Sequence, residues 1–205
     1  MNSTAHELAR RSGLLAAVAC LALMVAPATG LAKAPVKFGA KLDPTVQPSN
    51  SLPAHPCSQE AAGPCTRILN DAYGRAGVER APRSGRIKAI RVIAGAPGSF
   101  RLQIAKVKGA TNEAQVVRNG PKLTYQGQDE ANWESDQYKV EKFKVDVPVQ
   151  KGQQLALLGS YTSMVRCSSG GDNTLVYQPF LRPRNPFQPT TDTDGCWILM
   201  EAVIR

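Results

Sequence analysis

The feature that most limits what this chain can fold into is a period of two. In Ser99–Lys108, Phe100, Leu102 and Ile104 fall on one face, and Arg101 and Gln103 on the other. In Tyr138–Val147, Phe143, Val145 and Val147 share one face while Lys142, Lys144 and Asp146 share the opposite one. Successive side chains of a strand point to opposite sides, so this alternation marks half-buried antiparallel strands. Further strands are predicted over Val36–Leu42, Thr66–Tyr73, Arg86–Ala94, Gln153–Leu158, Thr174–Phe180 and Cys196–Ile204. The last of these is apolar on both faces, as a central strand would be. Asn119-Gly120, between Ala114–Arg118 and Lys122–Tyr125, has the chemistry of a two-residue hairpin turn. After the N-terminal segment no window carries the 3.6-residue period of an amphipathic helix. The predicted fold class is all-β, an antiparallel β-sandwich of jelly-roll type.

The N-terminus follows different rules. Arg10 and Arg11 precede an apolar run, Leu14–Val25, and small residues follow it. Those are the three parts of a secretory signal peptide, and the run is too short for a membrane span, which needs roughly 20 residues. We place the cut after Ala32, with Ala28 and Ala34 as alternative sites. Arg10-Arg11-Ser12 matches a twin-arginine signal only in part, since Gly13 stands where Phe is expected, so that route is the minor reading; cutting at Cys20 would leave too short an apolar core for a lipoprotein cleavage box. The predicted organisation is a signal peptide over 1–32, a strand and a Pro/Ser-rich arm over 33–56, and the sandwich over 57–205. The predicted location is secreted or extracellular, periplasmic where the source cell has an outer membrane, with no transmembrane segment in the mature chain.

Removing residues 1–32 takes away two arginines and one glutamate, so +8 remains of the formal charge of +9. A basic balance favours anionic partners such as envelope polymers, acidic glycans or phospholipid surfaces. In the sequence these charges are dispersed, and Arg182-Pro183-Arg184 is the tight basic spot. No nucleic-acid-binding signature is present. The same removal takes Cys20, leaving Cys57, Cys65, Cys167 and Cys196. An even number of cysteines in an oxidising compartment predicts two disulfides. We favour Cys57–Cys65 and Cys167–Cys196 among the three possible pairings.

Several stretches resemble those of a group of uncharacterised secreted bacterial β-sandwich proteins. They are Lys37-Phe38-Gly39, the first cysteine pair, Ala81-Pro82-Arg83-Ser84-Gly85-Arg86-Ile87, and Val147-Pro148-Val149-Gln150-Lys151-Gly152-Gln153-Gln154-Leu155. The resemblance implies a jelly-roll-like sandwich and no transferable activity. Gln153 stands where an acidic residue after the Lys-Gly turn is usual, so no carboxylate role is expected there.

Catalysis has little to build on. Ser and Cys nucleophiles need a base that is usually histidine, and His55, in the Pro-rich arm, is the sole histidine after residue 32. No catalytic residue, metal ligand or cofactor is predicted. Asp129, Glu130, Glu134 and Asp136 surround Trp133 in one loop, which leaves a two-carboxylate glycosidase as the least favoured reading. Asp192-Thr193-Asp194-Gly195 is a fragment of a calcium loop that reads best as a plain turn. Trp133, with Tyr125 and Tyr138, is the candidate ligand-binding set, since aromatic faces match the apolar face of a sugar ring. The expected function is a non-catalytic binding module for carbohydrate or an anionic cell-envelope polymer. A structural or protein-interaction domain is the alternative.

Overall fold

The computed structural model describes residues 34–42, 57, 63–70, 79–94, 97–127, 139–159 and 167–205, except for the side chains of 167–173 and 194–197. By its internal contacts the chain divides into residues 1–31 and 32–205, and the described residues all belong to the second unit. They form strands and no helix. The strands are β1 (Val36–Gly39), β2 (Cys65–Leu69), β3 (Gly85–Ile93), β4 (Gly98–Lys108), β5 (Glu113–Tyr125), β6 (Val140–Val149), β7 (Gln154–Gly159), β8 (Cys167–Tyr177), β9 (Asp192–Ile198) and β10 (Met200–Ile204).

Two antiparallel sheets result. The smaller has the order β1-β10-β3-β6, and the larger β5-β4-β7-β2-β8-β9. Their facing sides build one core. Phe38, Ile87, Ile90, Val92, Val147, Met200, Ala202 and Ile204 come from the four-stranded sheet, and Phe100, Leu102, Ile104, Leu123, Tyr125, Leu155 and Leu157 from the six-stranded one. Burying a side chain of this size stabilises by about 1.5–3 kcal/mol. This is the interdigitated interior of a β-sandwich, as the alternation in β4 and β6 predicts.

The larger sheet is buried on its outer side as well. Ile68, Ala105, Val107, Ala114, Val116, Ala156, Leu175 and Tyr177 form a second apolar layer there, joined by Leu181. Leu181 lies in the segment between β8 and β9, residues 178–191, which straps across the sheet. The Leu181 N–H donates to Thr66 Oγ1 at 3.0 Å. Gln103 Nε2 donates to the Leu181 carbonyl at 3.2 Å and to Asn119 Oδ1 at 2.8 Å. Thr66 Oγ1 donates to Gln103 Oε1 at 2.9 Å. Further out, Ala114 and Gln188 exchange backbone hydrogen bonds of 2.9 Å. The alanines at 105, 114 and 156 leave room for a backbone to lie this close. Tyr177 ties the layer down by donating its hydroxyl to the Asn112 carbonyl at 2.6 Å, and burial pushes this phenol well above its ordinary range, so it remains a donor.

Three local expectations are corrected. Asn119-Gly120 makes no hairpin: β5 runs unbroken through it, with a bulge opposite Arg101–Gln103. Gly120 lies flat over Leu102, where an added Cβ would come within 3.2 Å of that side chain, and Asn119 serves the strap through Gln103. Cys196–Ile204 is not one central strand but two, and the chain changes sheet at Leu199. It is apolar on both faces because Ile198 and Met200 face the main core while Leu199 packs with Ala40, Leu42, Leu69 and Ile93. The Asp192–Gly195 fragment is no turn; it opens β9 and pairs with β8.

One disulfide is described, Cys57–Cys65, with 5.7 Å between Cα atoms. Cys167 and Cys196 lie on neighbouring strands, where the register pairs Cys167 with Ile198 and Cys196 with Ser169. The side chains of both lie outside the described parts. The arm over 44–56 and residues 1–32 do too.

Candidate functional site

The outer side of the four-stranded sheet has no such cover among the described residues, and its chemistry differs. The pairing register aligns its outward residues in rungs. One rung runs Gly39, Glu201, Arg91, Lys142, and the next runs Lys37, Val203, Ala89, Lys144. Neighbours within a rung sit about 5 Å apart and rungs about 7 Å apart. Beyond them come Arg205, which exchanges backbone hydrogen bonds with Arg86, and the cluster of Arg86, Lys88 and Asp146.

Cations that lie far apart in the sequence therefore converge. Lys37, Arg91, Lys142 and Arg205 line a depression of about 540 Å³ whose apolar parts are Pro35, Val140 and Val203. Glu201 lies beneath it, 5 % exposed at its side chain, ion-paired to Arg91 and 3.5 Å from Lys37. Like charges a few ångströms apart repel by about 1 kcal/mol even in water, so this buried carboxylate steadies two of the four. Gly39 permits the arrangement at its edge: its φ is +99°, and a Cβ there would stand 2.5 Å from the Met200 carbonyl oxygen.

Asp146 shows how this face holds a single anion. Its carboxylate accepts from Arg86 Nε at 2.6 Å and Nη2 at 2.8 Å, and from Lys88 Nζ at 2.6 Å. The arginine hydrogen bond, then the lysine one, hold this carboxyl far below its usual range, so it is ionised wherever the protein is folded near neutral pH. Lys142, Lys144 and Arg205 have no carboxylate partner among the described residues. On this face Glu201 and Asp146 stand against seven cations: Lys37, Arg86, Lys88, Arg91, Lys142, Lys144 and Arg205.

The residues expected to bind ligand fare differently. Tyr125 is 1 % exposed and packs in the core, 6.2 Å from the Phe100 ring centroid and against Gly98. Its ring offers no face to a sugar, a correction that follows from period two: Leu123 and Tyr125 both point inward. Trp133 and Tyr138 lie outside the described residues, as do Asp129, Glu130, Glu134, Asp136 and His55. The Arg182-Pro183-Arg184 spot is part of the strap, and the Arg182 guanidinium stacks on Phe180 at 5.2 Å. Gln153 is buried, and its amide oxygen accepts the Gln150 N–H at 2.8 Å. Among the described residues, no group of three His, Cys, Asp or Glu is placed to hold a metal ion, and no helix is long and apolar enough to cross a membrane.

No protein-family model, curated protein or solved structure matches this chain. The site is read from its own chemistry.

Proposed function

We propose that this protein is a non-catalytic binding module for an anionic polymer of the cell envelope, held against the outer face of the four-stranded sheet. The observation that carries this reading is the convergence of Lys37, Arg91, Lys142 and Arg205 around an apolar floor. Fixed cations over a low-dielectric floor concentrate anions more than scattered surface charges do. Val140, Val203 and Pro35 give the carbon skeleton of a sugar or polyol something to lie on. The open shape suits a chain passing across it.

Export belongs to the same reading. Residues 1–32 act as a signal peptide, and the mature chain works outside the cytoplasm, where the Cys57–Cys65 disulfide persists. A second disulfide, Cys167–Cys196, would join paired strands across a two-residue diagonal of the register. The strand orders support a jelly roll: β1-β10-β3-β6 over β5-β4-β7-β2, with β8 and β9 extending the second sheet. Trp133 and Tyr138 supply aromatic contact to the polymer's sugar units.

Charge reversal tests the reading. Lys142→Glu combined with Lys144→Glu should weaken binding to an anionic polysaccharide by at least about tenfold at low salt, a loss of about 1.4 kcal/mol. Wild-type affinity should itself fall as salt rises. Unchanged affinity in the double variant, or tight binding of oligonucleotides with none of anionic polysaccharide, would overturn it.

A further inference from the structure

A second, smaller depression of about 220 Å³ opens at one end of the sandwich, lined by Lys106, Val117, Arg118, Pro148, Val149, Gln150 and Gln153. Lys106 and Arg118 are both exposed and have no carboxylate partner among the described residues. Gln153 is 6 % exposed. Its oxygen is engaged by the Gln150 N–H, which leaves the amide NH2 as a donor for the pocket. Two cations and a buried amide donor are a set suited to an oxyanion.

The two depressions share one strand. Val140 and Lys142 of β6 line the first, and Pro148 and Val149 of β6 line the second. Pro148 stands six positions beyond Lys142, about 20 Å of extended chain. Between them the outward residues are Lys144 and Asp146. Asp146 is no barrier to an anion, because Arg86 and Lys88 together outweigh it by one charge. Glu141, at the start of β6, is turned elsewhere: its carboxylate accepts the backbone N–H groups of Gln126 and Gly127. The field along β6 is therefore positive from one depression to the other.

We infer that the two depressions are the ends of one track along β6, and that the ligand is a linear polyanion long enough, about 20 Å, to occupy both. This rests on the binding role proposed above and narrows it to chains of repeating monoanionic groups, carboxylate or phosphodiester. A chain engaging one end presents its next anions to the other at high local concentration, so affinity rises with length beyond the gain per charge.

Oligogalacturonates and glycerol-phosphate oligomers, each in a short form filling one depression and a long form spanning both, provide the test by calorimetry. The long form of whichever series binds should bind roughly tenfold or more tightly than the short form. Lys106→Glu with Arg118→Glu should abolish that gain and, at about 0.15 M salt, where the Debye length is about 8 Å, leave the short form's affinity within about twofold of wild type. Lys106→Ala with Arg118→Ala, a milder change, should reduce the gain in the same direction, and an unaltered melting temperature would show that both variants fold. A length gain that survives both double variants, or short-form binding with no length gain, would overturn the track and leave the first depression's role standing. Failure of every oligomer to bind at low salt would instead overturn that role itself.

Discussion

The outer faces of the two sheets are made from the same backbone and meet opposite fates. On the six-stranded sheet the outward positions of β2, β4, β5 and β7 include Ile68, Ala105, Val107, Ala114, Val116 and Ala156, and the chain returns over them as a strap. On the four-stranded sheet the outward positions are mostly lysine and arginine, and a depression lined by four cations opens there to solvent. A face of small apolar residues gains stability when covered, whereas a face of like charges gains nothing by closing on itself. The first spends its chemistry on folding. The second is left with unbalanced charge that a ligand can satisfy.

Substitutions on the covered side should therefore move stability and spare binding. Gln103→Leu strands the Leu181 carbonyl and removes the acceptor of the Thr66 hydroxyl, both buried. It should cost about 2–4 kcal/mol by urea denaturation, with polyanion affinity unchanged in the folded protein. A loss below about 0.5 kcal/mol, the range of ordinary surface changes, would show that the strap is not held through Gln103. Removing the Cys57–Cys65 bond by paired alanines should be next in size. Closing so short a loop is worth on the order of 2–3 kcal/mol, and Cys65 begins β2, a strand of the sheet that the strap covers. Equal melting temperatures for the two forms would contradict this.

On the open side the expected effects on stability are smaller and those on binding larger. Lys142→Glu with Lys144→Glu should leave stability within about 0.5 kcal/mol, since both side chains are exposed. Asp146→Asn sharpens the contrast from the other direction. It frees Arg86 and Lys88, so polyanion affinity should rise a few-fold at low salt and the rise should vanish at high salt. Because the folded-state pKa of Asp146 is depressed, its contribution to stability is present above the ordinary carboxyl value of 3.8 and is lost as pH falls through the lower folded value. The stability difference between wild type and Asp146→Asn should hold from neutral pH down to about 4 and close below it. A gap that widened with acid would have the wrong sign.

What could be read in advance followed the reach of each signal. Alternation is local, so the faces of β4 and β6 were legible, including Lys142, Lys144 and Asp146 as outward residues. The first cysteine pair was legible because its partners are close in sequence. The basic face was not. It depends on β1, β10, β3 and β6 becoming neighbours, and Lys37, Arg91, Lys142 and Arg205 carry no motif between them. The strap was also hidden, because Gln178–Thr191 looks like any Pro-rich loop until Gln103 and Thr66 are known to lie beneath it. Asn119-Gly120 misled because glycine serves close approach as readily as a turn. Tyr125 was misplaced by proximity to Trp133 in sequence, although the alternation from Leu123 already pointed it inward.

Backbone hydrogen exchange with and without a saturating anionic polysaccharide tests the central claim most directly, because it reports each strand separately. Added protection should fall on β1, β10, β3 and β6, with the strap over 178–191 and the strands beneath it unchanged. Protection concentrated on the strap or on β2, β7 and β8, with the four-stranded sheet unaffected, would contradict the assignment of the open basic face as the binding surface.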